Sequence, residues 1–140
     1  GLRENQSGGL EMKACLDTNA YSNLRRGNKR LLALLNECDE ILMPAAAFAE
    51  LEYGFLRGGK TAENESLLAS FLDEEHVSFQ PVTQSIAERW GYVKAALAQK
   101  GTPIPENDIW IAATALAANL SLVTADSDFS HVRGLVVEKM

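Results

Sequence analysis

A chain of 140 residues, 46% apolar and 23% charged, is long enough for one domain with a buried core and too short for two. Its formal net charge of −6 speaks against a nucleic-acid partner, since phosphate calls for cationic protein, unless divalent cations neutralise part of that charge locally. The longest weakly polar run, 109–125, is broken by Thr114, Asn119 and Ser121 and bounded by Asp108 and Asp126, which excludes a membrane span of about 20 apolar residues.

Residues 1–11 are polar, contain glycine and show no pattern. They read as a disordered lead or an expression leftover, with a single domain over 12–140. Residues 13–17 form a short apolar run and predict a strand. A helix follows over 18–26 and stops at Gly27; Asn28 then caps a helix over 29–38 with Leu31, Leu34 and Leu35 on one stripe. A second strand, 40–43, is closed by Pro44. Helical spacing of Phe48, Leu51 and Phe55 predicts a helix over 45–57, broken by Gly58-Gly59. A further helix over 61–73 carries Leu67, Leu68, Phe71 and Leu72.

The short run 77–79 predicts a third strand, stopped by Pro81. Thr83 caps a long helix with Ile86, Trp90, Val93 and Leu97 on one face, ended by Gly101. Pro103 and Pro105 mark a loop, 106–119 a helix, 121–124 a fourth strand and 135–137 a fifth. Short apolar strands alternating with helices predict an α/β sandwich around a mainly parallel, five-stranded sheet. Cys15 and Cys38 lack metal or redox spacing, and no secretion signal is recognisable, so a reducing cytoplasm is the expected compartment. His76 and His131 also lack ligand spacing. Trp90 and Trp110 lie on helical stripes and read as core or dimer contacts.

Four acids stand in distinctive places. Asp17 closes the first apolar run, Glu50 lies among small residues on a helix, Asp108 opens another helix, and Asp126 follows the fourth strand. Each alone has a plain explanation: a helix N-terminal acid for Asp108, a turn or cap for Asp17 and Asp126, a solvated helix face for Glu50. Together they point to one place, because functional groups in an open parallel sheet gather beyond the carboxyl ends of its strands. If the first and fourth strands are neighbours, about 4.8 Å apart, Asp17 and Asp126 reach one ion. Ala46, Ala47 and Gly54 beside Glu50, and Ala112 and Ala115 along the Asp108 face, let both helices pack closely. Crowded carboxylates need a cation to offset their repulsion, so a divalent-metal site is the leading expectation.

The quoted pieces are Leu16-Asp17-Thr18-Asn19, Glu50-Leu51-x-x-Gly54, Asn107-Asp108-x-x-Ile111-Ala112-Ala113 and Thr124-x-Asp126-x-Asp128-Phe129. In this order they resemble a PIN domain, and more narrowly the VapC-type toxin ribonucleases of bacterial toxin–antitoxin pairs. The resemblance covers the chain from Met12 nearly to its end. It implies a three-layer α/β/α fold and a metal-dependent endoribonuclease in which Asp17, Glu50, Asp108 and Asp126 bind one or two Mg²⁺ or Mn²⁺ ions. Asp128 would be a further ligand, with Asn19 and Thr124 as supporting polar residues. It also implies a homodimer and a VapB-like antitoxin that packs near the site and pushes a basic side chain into it.

Arg25, Arg26, Lys29 and Arg30 cluster after the first acid, and Arg57 and Lys60 after the second. They are candidate RNA phosphate contacts, or else a solvated helix face. Gly54 to Thr61 formally matches the phosphate-loop pattern GxxxxGK[ST], but the first glycine falls inside a predicted helix where that motif needs a strand. An aspartyl-nucleophile phosphohydrolase usually needs an acid where Asn19 stands, and a receiver domain lacks its paired acids here. A PIN-like binding module without catalysis is the remaining alternative, and it has no need of four acids.

Overall fold

The computed structural model describes residues 2–4 and 10–140; of residues 2–4, 10 and 11 it describes the backbone alone. The central sheet has strands β2 (Leu10–Leu16), β3 (Glu40–Pro44), β4 (Val77–Gln80), β5 (Ser121–Thr124) and β6 (Val137–Lys139), in the order β4-β3-β2-β5-β6. All four pairings along that path are parallel. A short strand β1 (Leu2–Glu4) runs antiparallel to the start of β2, Leu2 opposite Met12. The helices are α1 (Thr18–Arg25), α2 (Lys29–Asn36), α3 (Ala45–Arg57), α4 (Thr61–Leu72), α5 (Gln84–Lys100) and α6 (Glu106–Ala118). This is the expected α/β sandwich.

Cys15, Leu16, Ile41, Leu42, Met43, Leu122 and Val123 are all buried, although neighbouring side chains point to opposite faces of the sheet. Burial on both faces means helices cover both, as an all-parallel sheet requires. The edge strand β4 differs: Val77 is buried, while Ser78 and Phe79 are exposed. Phe79 rests its ring against Phe48 of α3 at 5.3 Å. Trp90 and Trp110 stack on each other across α5 and α6, 5.2 Å apart, so they are helix-pairing contacts.

Most predicted elements appear with ends shifted by one or two residues, where helices fray and backbone pairing decides. The last strand is displaced from 135–137 to Val137–Lys139, because Leu122, Val123 and Thr124 pair with 137, 138 and 139. A 3-10 turn over Ser127–His131 was not foreseen. Asp17 is the N-cap of α1 instead of the last strand residue. Asn28 and Thr83 cap α2 and α5 as expected, accepting from the amides of Leu31 and Ile86. Gly101 ends α5 with φ +69, a conformation that glycine takes without strain. Gly54 lies inside α3, which removes the phosphate-loop reading.

Candidate metal centre

The register of the sheet builds the site. Strands β2 and β5 are hydrogen-bonded neighbours with Leu16 opposite Val123, so Asp17 and Thr124 emerge side by side at their carboxyl ends. The Asp17 amide continues the ladder by donating to the Val123 carbonyl at 3.4 Å. The Asp17 side chain is buried, 4% exposed. One of its carboxylate oxygens accepts from the Ala20 amide at 2.8 Å, and the other accepts from the Thr124 hydroxyl. That hydroxyl in turn accepts from the Asp126 amide at 2.9 Å. Asp126 then caps the 3-10 turn by accepting from the Asp128 amide at 2.8 Å. A single chain of hydrogen bonds thus fixes Asp17, Thr124, Asp126 and Asp128 relative to one another.

Two helices deliver the other acids. Asp108 lies in the first turn of α6. Carboxylate oxygens of Asp108, Asp126 and Asp128 fall within 4.8 Å of one another, all half-buried. Glu50 projects from α3, which packs against both α1 and α6. Its Oε1 accepts from the Thr18 hydroxyl at 2.9 Å. The sequence offered Thr18 only as part of the Leu16-Asp17-Thr18-Asn19 motif, with no role; its position beside Asp17 was a usable signal, but a partner 32 positions away was not. Asn19, by contrast, is exposed on the first turn of α1.

The electrostatics show the cost of this gathering. Burial pushes the Asp17 carboxyl up, the Thr124 hydroxyl and the Ala20 amide oppose it, and the charges of Asp126 and Glu50 push it further. Burial, then the charges of Asp126, Glu50, Asp17 and Asp128, raise Asp108 to about 6. Among the described residues no Lys or Arg forms an ion pair with any of the five acids. Anionic oxygens crowded without a cationic partner suit a hard divalent cation, which binds oxygen donors and offsets their repulsion. The donor set contains no thiolate or imidazole. Cys15 lies beneath the site with its thiol pushed up by burial, and so is an inert core residue.

The candidate RNA contacts lie elsewhere. Arg25 and Arg26 are at the far end of α1, about 12 Å along the helix from Asp17 at 1.5 Å per residue. Arg25 sits over the Tyr21 ring at 5.5 Å, Arg26 donates to Asn23, and Lys29 and Arg30 are exposed on α2.

Comparison with known proteins agrees with this geometry. The PIN domain family matches residues 14–135. "Ribonuclease VapC2" of Rickettsia felis is 33% identical over 109 residues, covering 76% of this chain and 79% of the relative. "Ribonuclease VapC5" of Mycobacterium tuberculosis is 29% identical over 119 residues, covering 85% and 87%. The crystal structure of VapBC2 from Rickettsia felis, bound to a DNA fragment from their promoter, superposes with a TM-score of 0.81 at 28% identity. That match covers 92% of this chain and 99% of the other. The chain therefore belongs to the PIN domain family and, within it, to the VapC ribonucleases.

Proposed function

We propose that this protein is a metal-dependent endoribonuclease that hydrolyses RNA phosphodiester bonds, the toxin half of a pair inhibited by a VapB-like antitoxin. The observation that carries the reading is the convergence of Asp17, Glu50, Asp108, Asp126 and Asp128 beyond the ends of β2 and β5, with no Lys or Arg among the described residues paired to them. Asp17, Asp108, Asp126 and Asp128 would hold Mg²⁺ or Mn²⁺, with Glu50 completing the set. Such a cation supplies an acidified water for attack on phosphorus and charge stabilisation on the phosphate oxygens.

The protein's own residues do the positioning. Thr124 locks the Asp17 carboxylate and the Asp126 backbone together, which holds two ligand sets at fixed separation. Thr18 aims Glu50 across from α3. Outer partners of this kind orient ligands and raise affinity for the ion. Water is the nucleophile in this reading, and no covalent phosphoprotein step is invoked. The antitoxin partner follows from relatives seen as VapBC complexes, and a basic antitoxin side chain in this acidic mouth would compete with the cation. A homodimer and a cytoplasmic setting belong to the same reading. Among the described residues no helix is long and apolar enough to cross a membrane.

The test is cleavage of RNA with Mg²⁺ or Mn²⁺, without metal, and in Asp17→Asn and Asp108→Asn. Cleavage should vanish with chelator and fall by at least about a hundredfold in either variant, the size expected when several kcal/mol of charge stabilisation is lost. Undiminished cleavage in both variants would refute the assignment.

A further inference from the structure

A concave feature lies within a few residues, along the chain, of the acidic mouth. Between the last two turns of α5 and the 3-10 turn lies a groove of about 120 Å³, floored by Val93, Leu97 and Val132 and edged by Tyr92, Lys100 and Arg133. Its place relative to the carboxylates follows from the chain. Asp128 is the second residue of the 3-10 turn and His131 closes it, three residues later, about 6 Å at 2.0 Å rise per residue. The Lys100 ammonium donates to the His131 carbonyl at 3.0 Å, which seats α5 against the turn and leaves two of its protons unspent.

In a chain of net charge −6, no acidic residue lines this groove, and two cations stand at its edge. Neither Lys100 nor Arg133 pairs with a carboxylate among the described residues. Tyr92 is 62% exposed, its ring free to cover a guest. An apolar floor with an aromatic side chain and a cationic rim suits a nucleotide of single-stranded RNA: base against the apolar and aromatic surface, phosphate on the cations.

Resting on the nuclease reading above, we infer that this groove binds one nucleotide flanking the cleaved bond. The base lies on Val93, Leu97 and Val132, and its phosphate meets Lys100 and Arg133. The acidic mouth then anchors the scissile phosphate through its cation, and the groove fixes which flanking nucleotide sits beside it. An apolar peptide matches the floor but has no use for the two cations, and a second copy of the chain is separated by the test below.

The experiment uses the full chain and an RNA oligonucleotide that the wild type cuts at one site, intact and with an abasic residue placed in turn at each flanking position. One abasic position should raise the wild-type KM about tenfold. Arg133→Glu should raise KM by a similar factor on intact RNA, with the loss in KM rather than kcat. Its binding should depend less on salt, the slope falling by about 0.7 for one lost phosphate contact on a single strand. Ala96→Trp, which fills the groove, should cut intact and abasic RNA alike. The inference is overturned if wild type active on RNA tolerates every abasic position and Arg133→Glu leaves KM unchanged, while the nuclease reading survives. It is also overturned if Ala96→Trp changes only the sedimentation behaviour, which would mark a self-association face. A wild type that cuts no RNA in either metal removes the nuclease reading and this inference with it.

Discussion

Thr124 is the residue on which the site turns. It is fully buried, and its one hydroxyl both donates to Asp17 and accepts from the Asp126 amide. Thr124→Val keeps the shape and removes both bonds, so metal affinity should fall about 10- to 100-fold, the usual effect of losing an outer-shell partner. Isothermal titration with Mn²⁺ checks it. Thr18→Val should have a smaller effect, because it frees only Glu50. Strand-end acids and a following Thr-x-Asp were legible in the sequence as a pattern. That Thr124 bonds to a residue 107 positions away was not, since that contact exists only through the β2–β5 pairing.

At the scale of elements, the helices were readable because capping chemistry and periodicity are local. Asn28, Thr83 and Gly101 each act where the sequence placed them. The Thr83 side chain is the one acceptor for an otherwise unpaired amide at the start of α5. Thr83→Ala should therefore lower stability by about 1 kcal/mol, and Thr83→Ser by much less, measured by urea midpoints. Nuclease turnover should be unchanged, since Thr83 lies beside Ala117 and Ala118, at the opposite end of α6 from Asp108. The strands were harder. Val137–Lys139 was placed two residues early because three short residues carry no periodicity of their own, and pairing with β5 sets the register. The 3-10 turn at Ser127–His131 hides for the same reason: its first hydrogen bond comes from a side chain, Asp126, acting as a cap.

The whole molecule stores electrostatic repulsion at one end. Asp17 and Asp108 both titrate above the ordinary carboxylate range, Asp108 at about 6. A raised folded-state value means the folded protein binds more protons than the unfolded chain between about pH 4 and 6. Stability from these groups is therefore present at low pH and lost as pH rises, through about 6 for Asp108. In chelator, the melting temperature should be higher at pH 5.5 than these two acids permit at pH 7.5. Asp108→Asn should flatten that dependence and raise the melting temperature at pH 7.5. Saturating Mg²⁺ should stabilise the wild type at pH 7.5, by mass action, and do so much less in Asp108→Asn.

Sequence by itself determined the helices and most of the strands and singled out the candidate acids, because periodicity, caps and turn residues act over a few neighbours. Glycine, alanine and threonine beside each acid even marked which ones sit in tight surroundings. What only the tertiary structure decided is which acids lie close enough to share an ion and what holds them there. Asp128 joins Asp108 and Asp126 in the tightest triad, while Asp17 is bound into the floor and Glu50 is held from the side by Thr18. Those relations depend on strand order and helix packing across separations of tens of residues. No local rule carries that information, because the free energy that fixes it comes from burying both faces of the sheet at once.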